Sequence, residues 1–119
     1  MKSVCITTLV FLVFLVHSNC GLLASTTTLL FAGDVMGNKP QVNAAFDPVT
    51  QQYDYKPCFQ YMKPIIEDAT IAIANLEVTL PGEPPYAGFP RFRTPDALVD
   101  GLKFAGFDVL VTANNHSND

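Results

Sequence analysis

Basic residues are scarce in this chain, and usable cysteines and long apolar runs are scarcer. Lys and Arg number 7 against 11 Asp and Glu, for a formal charge of −4. Apart from Arg91 and Arg93 the basic residues are scattered singly, so the patch that a nucleic-acid binder needs is missing. This argues against nucleic acid as a macromolecular partner. Three cysteines, at positions 5, 20 and 58, are too few for a disulfide framework once the N-terminal segment is set aside. Cys58 then reads as a small buried apolar residue. No apolar run reaches the roughly 20 residues of a membrane-spanning helix. Internal repeats are absent, and 119 residues allow one domain at most.

What is present begins with an export signal over residues 1–25. Lys2 supplies the positive end, Val4–Val16 is apolar apart from Thr7 and Thr8, and small residues follow around Cys20–Ser25. This segment inflates the 49% hydrophobic content, which therefore says little about the mature domain. Cys20 closes the apolar stretch in His17-Ser18-Asn19-Cys20-Gly21, where a bacterial lipoprotein carries its acylated cysteine and gains a lipid anchor in the membrane. His17 and Asn19 depart from the usual residues of such a site. Ordinary cleavage between Cys20 and Ser25 fits the pattern as well.

Residues 26–119 read as alternating strands and helices. Thr26–Ala32 is a β-branched and apolar strand running into Gly33-Asp34. The polar segment 40–54 reads as surface loop. A helix from about Tyr55 to Asp68, opened by Asp54, places Phe59, Met62, Ile65 and Ile66 on one core face, with Pro64 kinking or dividing it. Thr70–Ala74 is a second strand, ending in Asn75-Leu76-Glu77. Four prolines and two glycines make residues 79–94 an irregular excursion. Thr94-Pro95-Asp96 then opens a helix with a capping hydroxyl; Leu98, Leu102 and Ala105 face the sheet, and Gly106 ends it in a left-handed cap. Phe107–Val111 is the third strand, and it runs into Asn114-Asn115-His116-Ser117-Asn118-Asp119. Buried strands alternating with helices imply an α/β fold with a parallel sheet and right-handed crossovers.

Three strand ends thus carry Asp34, Glu77 and Asn114-Asn115-His116. Ligands of open α/β sheets bind beyond the carboxyl ends of the strands. Two carboxylates, an amide oxygen and an imidazole suit divalent metals such as Mn, Fe(II), Zn or Mg. Arg91 and Arg93 offer guanidiniums that suit an anionic group, or else they form a solvated edge.

The stretches LLFAGDVMG, ATIAIANLEVTL, YAGFPRFRTPDAL and AGFDVLVTANNHSND resemble the bacterial capsule-synthesis (CapA, poly-gamma-glutamate biosynthesis) family, over roughly residues 28–119. That family is similar to calcineurin-like metallophosphatases. The resemblance implies an α/β sandwich with a two-metal site. In it Asp34 would ligate the first metal, Glu77 would bridge both, Asn115 would ligate the second, and His116 would assist from the outer shell as catalytic residue. Asn75, Asn114 and Asp119 match the motif too, Asn75 and Asn114 on the substrate side. Met36 stands where metallophosphatases usually place a His, and Asn38 where many relatives have one. Further His ligands of such a site come from later strands, so residues 26–119 read as the N-terminal portion of a longer domain.

Two functions follow. One is a metal-dependent phosphoesterase-like hydrolase of the cell envelope, acting on a phosphoester or an anionic polymer. The other is a non-catalytic assembly or export component for such a polymer. The export reading has a direct test: residues 1–28 fused to a reporter active only outside the cytoplasm should give signal, and a cytoplasmic product would refute it.

Overall fold

The computed structural model describes residues 25–119. The export signal and Cys20 lie outside the described residues. In chain order the elements are β1 (Leu29–Val35), α1 (Lys39–Ala45), β2 (Phe46–Asp47), β3 (Gln52–Tyr53), α2 (Lys56–Phe59), α3 (Lys63–Glu67), β4 (Ile71–Leu76), α4 (Ala97–Ala105) and β5 (Val109–Val111). The main sheet is parallel with the order β1-β4-β5, so the α/β reading holds and β4 is central. Among the described residues no helix is long and apolar enough to cross a membrane.

Side-chain alternation sorts the sheet into two unlike faces. Ala72, Ala74 and Leu76 of β4 are buried under the helices. They join Leu98, Leu102 and Ala105 of α4, with Leu30, Val35 and Leu110 packed alongside. Opposite them, Leu29, Phe31, Ile71, Val109 and Val111 are exposed, Phe31 to 71%. The expectation of three buried strands is therefore corrected. Only the helix-covered face is buried, and the apolar residues of β1 and β5 on the other face meet solvent.

One irregularity sets the site. Phe31 pairs with Ile73, but Asp34 pairs with Asn75, so β1 spends three residues where β4 spends two. Phe31 and Asp34 would lie on opposite faces of a regular strand. The extra residue, a β-bulge at Ala32-Gly33, returns Asp34 to the face of Asn75 and turns Val35 toward the helices.

Several sequence expectations change. Segment 40–54 is not a loop: it forms α1 and the β2–β3 hairpin. Pro40 lies in the first turn of α1, the Asn38 N–H donates to Gln41 Oε1 at 2.7 Å, and Val42 and Ala45 are buried. The helix over 55–68 is divided at Pro64, as expected, into two short ones, each with a proline in its first turn. The separation turns Met62 and Ile65 outward and leaves Ile66 as the buried member. The N-cap of α2 is Tyr55 rather than Asp54, whose Oδ1 nevertheless accepts the Lys56 N–H at 3.0 Å. Cys58 is exposed, not buried. Thr94 does not cap α4, whose N-cap is Asp96; its hydroxyl is buried without a hydrogen-bond partner. Gly106 ends α4 as expected, at φ 100° in the left-handed region.

Thr94 faces Gly37. A Cβ added at Gly37 would overlap the Thr94 hydroxyl oxygen, so this close approach requires glycine. Gly37→Ala should destabilise the intact chain by about 1–3 kcal/mol through overpacking. A denaturant midpoint equal to wild type would contradict that.

Candidate functional site

Asp34, Asn75 and Glu77 share one face at the carboxyl end of β1 and β4. The bulge delivers Asp34, alternation along β4 delivers Asn75, and Glu77 follows as its N–H donates to the Val35 carbonyl at 3.0 Å. Asn75 Nδ2 donates to Asp34 Oδ1 at 2.8 Å and to Glu77 Oε2 at 3.1 Å. One neutral amide therefore holds two carboxylates together. Glu77 is only 6% exposed. Burial, and then the hydrogen bond and charge of Asp34, push its carboxyl above the ordinary 4.5, while His116 pulls the other way.

The segment after β5 closes the group from above. Asn114 Nδ2 donates to Asn75 Oδ1 at 2.9 Å and to the Leu76 carbonyl at 3.0 Å, and its Oδ1 accepts the His116 N–H at 3.0 Å. Both amides expected on the substrate side, Asn75 and Asn114, are thus engaged inside the protein. His116 Nε2 lies 4.0 Å from Glu77 Oε1. Asn115 is exposed beside them. Arg91 is exposed, whereas Arg93 is half-buried with its Nε lacking a partner. The backbone of Arg93 is bound in both directions to Ala87.

Asp119, Phe92 and Thr79 complete the arrangement; the sequence marked Asp119 as a motif residue without a role, and did not single out Phe92 or Thr79. Asp119 Oδ2 lies 2.7 Å from His116 Nδ1 and accepts the Phe92 N–H at 2.7 Å. The single Thr79 hydroxyl proton is shared between the Phe92 and Asp119 carbonyls, 2.9 and 3.2 Å from Oγ1. The Phe92 ring meets the imidazole edge-on at 4.7 Å between centroids. Burial raises the Asp119 carboxyl, but the Phe92 N–H, His116 and Arg91 outweigh it, and the net shift is downward. The His116/Asp119 spacing of three residues was the available signal. Nothing in the sequence ties Phe92, on a distant segment, to either residue.

The donor chemistry suits a divalent cation in part. Two carboxylates held against their own repulsion, one of them nearly buried, are where a positive charge is best compensated. Among the described residues no three His, Cys, Asp or Glu side chains converge closely enough to hold a metal ion. A cavity of about 250 Å³ lined by Asp34, Gln41, Tyr55 and Cys58 adjoins the group but reaches neither Glu77 nor His116.

A family model described as bacterial capsule synthesis protein PGA_cap matches residues 28–119. The chain belongs to this capsule synthesis family. Neither a curated protein nor a solved structure matches it significantly. PGA_cap membership carries a role related to capsule synthesis and, with it, association with the cell envelope. The match spans all three strand ends of the site.

The raised Glu77 carboxyl has a consequence for stability. The folded chain binds this proton more tightly than the unfolded chain, so Glu77 favours folding at low pH. That contribution is lost as pH rises from about 4.5 through the higher folded value. In chelator, Glu77→Gln should remove this decline and raise the melting midpoint at neutral pH. A midpoint lower than wild type across the whole pH range would contradict it.

Proposed function

We propose that this protein is a metal-dependent phosphoesterase-like hydrolase of the capsule synthesis family, exported to the cell envelope by residues 1–25. Export would end in signal cleavage or in acylation of Cys20. The observation that carries the reading is the pairing of Asp34 with Glu77 around one amide, 4.0 Å from an imidazole nitrogen. Asp34, Glu77 and the exposed Asn115 amide oxygen would hold a divalent cation, with two cations the full complement, in a metallophosphatase-like fold. Such cations polarise a phosphoryl oxygen and lower the pKa of bound water. His116 would hold or deliver a proton at Nε2. Arg91 would attract the anionic part of a phosphoester or envelope polymer, and Asn75 and Asn114 would keep the carboxylates and His116 in place.

A second reading, a non-catalytic assembly or export component for an anionic polymer, is favoured by one detail. The Asn75 amide gives each carboxylate one hydrogen bond, which ties the pair together from within the protein.

Metal content and turnover of the intact protein separate the two. Glu77→Ala should lower bound Mn or Zn, while Glu67→Ala on α3 should not. His116→Ala should keep the metal and lower aryl phosphodiester turnover by about 10²–10⁴-fold. Equal metal in the two glutamate variants would refute the strand-end site. Metal binding without turnover would favour the assembly role.

A further inference from the structure

We infer that Asp119 is the positioning residue for His116: it fixes the imidazole with the proton on Nδ1 and Nε2 turned toward Glu77. The carboxylate oxygen is decisive. Asp119 Oδ2 already accepts the Phe92 N–H at 2.7 Å, a donor that cannot reverse its role. The same oxygen lies 2.7 Å from His116 Nδ1. An ionised carboxylate can only accept, so Nδ1 carries the hydrogen and the neutral ring presents its lone pair at Nε2.

The remaining contacts restrain the ring in that pose. Its backbone N–H is taken by Asn114 Oδ1, and its edge meets the Phe92 ring. The Thr79 hydroxyl lies within hydrogen-bonding reach of the Phe92 and Asp119 carbonyls, where the strand-end turn meets the proline-rich segment. Asp119 therefore links two stretches far apart in sequence, and the imidazole takes its orientation from their junction. A residue that merely closed a turn would spend its carboxylate on local backbone amides. Here one oxygen goes to a distant backbone and to the imidazole. The catalytic meaning of this pose rests on the hydrolytic reading above, whereas the tautomer itself does not.

The test is the nitrogen spectrum of the imidazole in the intact chain, labelled with 15N-histidine, in chelator and in buffer alkaline enough to keep the ring neutral. His116→Gln identifies the His116 signals against those of His17. Wild type should show His116 in the Nδ1-protonated tautomer. Asp119→Asn, whose Oδ1 can accept both bonds, should keep it. Asp119→Ala should shift it toward the Nε2-protonated form. An Nε2-protonated His116 in wild type, or an unchanged Nδ1 signature in Asp119→Ala, would overturn the inference. If Asp119→Ala does not fold, wild type and Asp119→Asn decide, since both must show the Nδ1 proton. The expected tautomers without metal-dependent turnover would support the inference and overturn the hydrolytic reading.

Discussion

Two like charges held side by side at the end of a sheet are the constraint on which this site depends. Asp34 and Glu77 repel, and Glu77 has little water to help it. The Asn75 amide offsets the repulsion by giving one proton to each carboxylate. Its own carbonyl must then find a donor, and Asn114 provides one. Asn114 in turn fixes the backbone of His116. A single electrostatic conflict thus organises three strand ends, and the chain of amides that answers it is also what brings the imidazole near the carboxylates.

The anionic envelope substrate proposed above would meet a surface with few positive charges. The chain is acidic overall, so attraction of an anion depends on local charge rather than on the field of the whole molecule. Arg91 supplies such a charge beside Asp119. Of the carboxylate pair, Asp34 is exposed while Glu77 is nearly buried.

Much of the fold was legible because burial and periodicity leave marks in contiguous sequence. The parallel strands, the left-handed Gly106 cap and the polar strand ends all follow from local patterns. The sheet-facing residues Leu98, Leu102 and Ala105 were legible for the same reason. What escaped depended on geometry that such patterns do not encode. Pro40 can end or begin a helix, and only the burial of Val42 and Ala45 decides between them. Pro64 as the start of a second helix reverses the exposure of Met62 and Ile65. Asp119 stood out only by its motif match and its spacing from His116, and its contact with Phe92 forms through folding across 27 residues, which no local pattern encodes.

The bulge at Ala32-Gly33 has a colloidal consequence as well as a local one. Among the described residues β1 lies at the edge of the sheet, with exposed Leu29 and Phe31 and unpaired backbone groups along its outer side. Such a strand is a template for edge-to-edge polymerisation. An extra residue midway along it breaks the hydrogen-bonding repeat and bends the strand, so an incoming chain can match only a few residues before losing register. The same single-residue irregularity that sets Asp34 in place therefore also interrupts the edge that an incoming strand would have to match.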